Sequence, residues 1–147
     1  MSNNGLKSGS NLEKVLKAGH FAFTGECGPP KGANVEHLKE KFEHLRGMVD
    51  AVNVTDNQTA VVRMSSAAAS AIMVANDIEP NFQMVCRDRN RLAMMADVCG
   101  VYSLGVKNML CLSGDHQKFG NNPQSKNVYD IDSMQLLQMM EEMGEKG

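Results

Sequence analysis

Four apolar runs of this 147-residue chain end alike, at a nearly constant interval. "HFAFTGEC", "AVNVTD", "NFQMVC" and "NMLCLSGD" are rich in β-branched, aromatic or sulfur-bearing residues, and each closes on polar side chains. Glu26, Thr55, Cys86 and Asp115 mark those ends, with steps of 29, 31 and 29 residues. About thirty residues is one strand, crossover and helix. Parallel strands require such crossovers, so an alternating βαβαβαβα order predicts a parallel sheet covered by helices. All carboxyl ends of a parallel sheet point one way. The four strand ends, with Asp56, Arg87 and Ser113 beside them, should therefore gather at the end where α/β folds carry out chemistry.

The stretches between the strands support that order. After a polar N-terminal tail (residues 1–10), "NLEKVLKAG" predicts a short helix closed by Gly19. Val35, Leu38, Phe42, Leu45 and Val49 recur at helical steps behind Asn34, a good N-cap. "SSAAASAIMVAND" is a serine-capped, small-residue helix able to approach a sheet closely. Leu92, Met95, Ala96, Cys99 and Tyr102 mark a third helix, ending near Gly105. A polar loop of 15 residues, "HQKFGNNPQSKNVYD", leads to "SMQLLQMMEEM", with Asp132 as its cap.

Composition excludes several function classes. The net charge of −2 gives no electrostatic basis for a nucleic-acid partner or an anionic membrane surface. No apolar run approaches the roughly 18 residues of a membrane span, and "MSNNGLKSGSN" lacks a signal-peptide core. Four cysteines without metal-ligand spacing read as reduced thiols of a cytoplasmic protein, and twelve methionines as soft core filling. GxGxxG and GxxxxGK[ST] are both absent, so a nucleotide-phosphate loop is unsupported.

Among single residues, Glu26 and Asp115 stand out. Each follows an apolar run and sits beside a glycine, where backbone can approach a ligand. A strand-end carboxylate is otherwise about as often a solvated cap. Lys107 precedes its strand and belongs to the opposite end, so no Schiff-base lysine is evident. The arginines of "CRDRNR" read as a solvated loop, and His20, His37 and His44 as surface residues. His116 is well placed for function, yet equally suits a loop. These residues leave open a metal-dependent lyase built on Glu26, Asp56 and Asp115 and a non-catalytic binding module.

Four motifs narrow the choice. "GECGPPKG", "VNVTDNQ", "QMVCRDRNR" and "LGVKNMLCLSGDH" together resemble methylenetetrahydrofolate reductase of the short bacterial and archaeal type, in that family's order, over residues from about 20 to 143. The resemblance implies a flavin-bearing (β/α)8 TIM barrel that reduces methylenetetrahydrofolate to methyltetrahydrofolate. Residues 11–147 would form its N-terminal half, about four βα units. FAD is the implied cofactor, with FMN as the alternative, and the electron donor is NAD(P)H or a protein. By motif, Glu26 matches the general acid toward the folate, and Asp115 the aspartate beside flavin and substrate. Thr55 matches a flavin-contacting threonine. Gln83 stands where many members have a flavin-contacting histidine, and Ser113 where many have arginine before Gly114. Tyr129 and Asp130 fall near contacts that follow the fourth strand. No metal is implied.

Size conflicts with a closed barrel, which takes about 250 residues. Half a barrel leaves its first and last strands as edges. "FAFTG" and "NMLCL" are apolar, uncharged and free of proline, so nothing protects them from pairing. They are expected to meet a second copy, as a homo-oligomer, or a C-terminal half.

Overall fold

A computed structural model describes residues 5–146. Of the N-terminal segment, residues 1–4 lie outside the described residues. The elements are α1 (Asn11–Lys17), β1 (Thr24–Cys27), α2 (Val35–Glu43), β2 (Ala51–Val54), α3 (Ser66–Val74), β3 (Pro80–Val85), α4 (Arg91–Ser103), β4 (Asn108–Leu112) and α5 (Ser133–Lys146). The four strands form one parallel sheet in sequence order, β1-β2-β3-β4.

Local chemistry starts the helices where the sequence indicates. Asn34 accepts from the His37 N–H at 3.1 Å, Ser65 from Ala68 at 3.2 Å, and Asn90 from Ala93 at 3.0 Å. Asp132 accepts from Gln135 N–H while Gln135 Oε1 accepts from Asp132 N–H, a reciprocal cap. Ser10 caps α1. The Glu13 carboxylate gathers the N–H groups of Lys7, Ser8 and Gly9. Those bonds, Lys7 foremost, hold it well below the usual carboxylate range, at about 2.

Strand alternation divides the sheet into two unlike faces. Cys27, Val52, Val54, Phe82, Met84 and Cys86 pack with Leu38, Phe42, Ala69, Met73, Met94, Val101 and Leu136 in two adjoining core clusters. The opposite face carries Thr24, Glu26, Asn53, Thr55, Asn81, Gln83, Val85, Leu110 and Leu112. There an amide ladder crosses three strands: Asn81 Nδ2 donates to Asn53 Oδ1 at 2.8 Å, and Asn53 Nδ2 to Thr24 Oγ1 at 3.3 Å. Leu110, on the same face of edge strand β4, is 38% exposed.

Three expectations change. The first strand begins at Thr24 and not at His20, leaving Phe21 81% exposed and in edge-to-face contact with Phe23. β1 is an edge whose one neighbour starts at Ala51; ahead of the ladder, Phe23 O accepts from Asp50 N–H at 2.7 Å and Phe23 N–H donates to the Asp50 carboxylate at 2.8 Å, which diverts its N–H to a side chain. The second helix stops at Glu43; Leu45 and Val49 reach the core from the turn beyond it, pressed on Gly25. In α4 the buried stripe is Met94 and Val101, with Val98 beside them, whereas Leu92, Met95, Ala96, Cys99 and Tyr102 are exposed. The helix is apolar on more than one side, so periodicity locates it without saying which side meets the sheet.

All four cysteines are free thiols, and only Cys99 is exposed. Burial, then Cys86, pushes the Cys111 thiol up to about 11. Burial raises Cys27 and Cys86 as well. Disulfide-exchange labelling of the native chain at pH 8 is therefore expected to show one fast thiol, abolished by Cys99→Ser. Two or more fast thiols would show that the core opens readily.

Candidate active site

Two strand-end loops are held in the same manner. After Glu26 the chain turns through Gly28, Pro29 and Pro30, whose three carbonyls are each captured. Lys41 Nζ donates to Gly28 O at 3.0 Å, Arg63 Nη1 to Pro29 O at 3.0 Å, and Met64 N–H to Pro30 O at 2.8 Å. Beyond β4, Arg87 N–H donates to Ser113 O at 3.1 Å, the Tyr129 hydroxyl to Gly114 O at 3.0 Å, and Arg87 Nη1 to Asp115 O at 2.8 Å. The Glu26 and Asp115 carboxylates are exposed and have no hydrogen bond or ion pair among the described residues. Rigid backbone thus presents two acidic groups without internal partners.

The groups share the carboxyl-terminal end of the sheet but not a register row. Glu26 lies level with Asn53, Asn81 and Asn108, the last being the first residue of β4, while Asp115 follows β4's last residue, Leu112. Such stagger is what tilted strands of a barrel wall produce. No hydrogen bond or ion pair joins the two carboxylates.

Between them, Thr55 is 3% exposed and its Oγ1 has no partner. A Cβ built on Gly28 would stand 3.6 Å from that oxygen, so the glycine lies directly beside it. Gln83 is buried on the face opposite the helices. Gly114, at φ +92°, is pressed on β3: a Cβ there would lie 3.0 Å from Val85 Cβ. Only glycine fits.

Other predicted contacts are engaged internally. Ser113 lies on the helix side, where its Oγ accepts from Ser133 N–H at 3.3 Å. The Tyr129 hydroxyl is the one on Gly114 O. Asp130 accepts from the backbone and guanidinium of Arg91, which hold its carboxyl below the ordinary range. His116 is exposed, and its Nδ1 accepts from Lys118 N–H in a single 3-10 turn.

Two expectations about the third strand end are corrected. Cys86 points into the helix-side core with Phe82 and Met84, because alternation sends even-numbered side chains of this strand there. Arg87 faces the other way, and the arginines at 87 and 89 are no solvated loop. Arg87 is 2% exposed and forks onto Asp88 with two bonds of 2.7 Å. Arg89 binds Asp56 at 2.7 Å and Asp97 at 3.0 Å. Asp56 also accepts from Val85 N–H at 3.0 Å. Those bonds remove Asp56 from the proposed metal triad, and among the described residues no three His, Cys, Asp or Glu groups could hold a metal ion. Lys41, Arg63 and Arg87 act as loop clamps that the sequence motifs do not mark. Arg87's odd number, shared with Gln83 and Val85, was the available signal.

A sequential parallel sheet with helices on one face and polar groups at its carboxyl ends is consistent with a partial (β/α) barrel. The family model of methylenetetrahydrofolate reductase matches residues 11–146, and the chain belongs to that family. Membership associates it with oxidoreductases of folate chemistry that are generally flavin-dependent. No curated protein matches the chain. Among the described residues, no helix is long and apolar enough to cross a membrane.

Proposed function

We propose that the chain forms one wall of a flavin-dependent active site that reduces 5,10-methylenetetrahydrofolate to 5-methyltetrahydrofolate, with FAD as cofactor and NAD(P)H or a protein as electron donor. The observation that carries this reading is the pair of carboxylates without internal partners, Glu26 in β1 just ahead of one clamped turn and Asp115 on the other, at the carboxyl ends of their strands. The residues fit a flavin. A buried hydroxyl without a partner is costly, and Thr55 Oγ1 is one that a bound ligand would satisfy. Thr55, Gln83, Gly114 and Asp115 would hold the cofactor, and FAD when bound supplies the hydride.

The chain's own groups account for the proton and the charge. Opening the substrate's five-membered ring to an iminium cation needs a proton on the departing nitrogen. In this reading Glu26 delivers it from a carboxyl oxygen, as a general acid. The opposite wall of a closed barrel would exclude water around that carboxyl. Asp115, as a carboxylate, stabilises positive charge developing on the substrate.

Closure requires a partner for both edges, β1 and β4. In this proposal that partner is a second copy or a C-terminal half. Sedimentation of the 147-residue chain at micromolar concentration is expected to show self-association, since both sheet edges, β1 and β4, are open. A stable 16.0 kDa monomer that binds FAD stoichiometrically and turns over folate would defeat the half-wall reading.

FAD titration into the closed assembly tests the function directly. A yellow complex that bleaches with donor and recovers its colour with methylenetetrahydrofolate is expected. Metal-dependent turnover with no flavin retained would favour the lyase instead.

A further inference from the structure

We propose that Arg87 is the positioning residue for Asp115, fixing where that carboxylate points from behind the strand ends. The proposal rests on the reading of Asp115 as a group that faces flavin and folate.

Arg87 follows β3 on the face opposite the helices, where it is almost wholly buried. Its guanidinium connects the ends of three strands. Nε and Nη2 bind the Asp88 carboxylate at 2.7 Å each, Nη2 also reaches Asn57 O at 3.4 Å, and Nη1 donates to Asp115 O at 2.8 Å. Asn57 follows β2, Asp88 follows β3 and Asp115 follows β4. The backbone of Arg87 adds two more ties, its N–H to Ser113 O and its carbonyl to Val128 N–H at 2.8 Å.

Burying a guanidinium is unfavourable unless its charge and donors are answered. Asp88 alone answers the charge with a forked pair. A purely structural ion pair would be complete there. The further donor, Nη1, lies on the carbonyl of the very residue whose side chain has no internal partner. Gly114, held at φ +92° against Val85 and by Tyr129, fixes the chain on the other side of Asp115. With the peptide groups before and after it anchored, the Asp115 Cα–Cβ direction is set and only its side-chain torsions stay free. Small displacements of a reacting group cost rate steeply, so such anchoring has a functional use.

Arg87→Lys and Asp115→Asn, singly and combined, test this in the FAD-loaded closed enzyme and in the 147-residue chain. Lysine keeps the positive charge but cannot hold Asp88 as a fork and reach Asp115 O as well. In the chain, R87K should speed deuterium exchange of the amides of residues 87 and 128, which tie this loop through Ser113 O and the residue-87 carbonyl, by about tenfold or more, the loss of one charge-assisted bond, with β2 still protected. In the enzyme, R87K should move the midpoint potential of bound FAD in the same direction as D115N, and add no shift in the D115N background. Exchange within about twofold of wild type, or an equal shift in both backgrounds, would overturn the proposal. Asp88→Asn separates positioning from mere structure, and serves if R87K does not fold. It breaks the ion pair but leaves Nη1 on Asp115 O, so the potential should stay put; a shift matching D115N would count against positioning. If the wild type retains no FAD, the functional reading fails and the exchange measurement alone decides whether Arg87 holds Asp115.

Discussion

Glu26→Gln is expected to slow folate reduction by at least ~10²-fold while reduction of the flavin by its donor keeps its wild-type rate. A general acid toward the folate takes part only in the folate half-reaction, and the amide keeps the shape while removing the transferable proton. The fold allows a clean test. Glu26 makes no hydrogen bond or ion pair among the described residues, and the Gly28–Pro30 carbonyls are held by Lys41, Arg63 and Met64 without it. Substitution there should change stability by no more than about 0.5 kcal/mol, the usual range for a surface site. Stopped-flow traces should show one slow phase, on folate addition. If both half-reactions slow together, Glu26 supports the site's shape and another group delivers the proton.

Asp56→Ala should have the largest effect on stability, about 3–5 kcal/mol. The Asp56 side chain is fully buried, and its oxygens serve Arg89 at 2.7 Å and Val85 N–H at 3.0 Å. Alanine would leave a buried N–H without an acceptor and Arg89 with Asp97 as its remaining carboxylate. Since whole domains are stable by only about 5–15 kcal/mol, the loss is a large fraction of the total. Calorimetry should record a Tm lower by roughly 10–20 °C. Asp56→Asn should recover part of it, because an amide oxygen can still accept from Val85. A change below about 1 kcal/mol would mean that this network contributes little beyond solvation.

Alternation, spacing and capping were legible in the one-dimensional chain because they depend on neighbours a few residues away. The Asn34, Ser65 and Asp132 caps work within their own first turns, and the four strands stand in the expected order. The placement of Glu26, Thr55 and Asp115 at one end of the sheet follows from parallel strands joined by crossovers. The tertiary structure alone decided which apolar stripe of α4 is buried, because Met94 and Tyr102 lie on sides of one helix that composition does not rank. It decided that β1 is short, since the Phe23 N–H is diverted to the Asp50 side chain. It also took Arg87 and Asp56 out of solvent: a charged side chain is buried only where distant partners converge on it, and Asp88, Asn57, Asp115, Arg89 and Val85 come together from three strand ends.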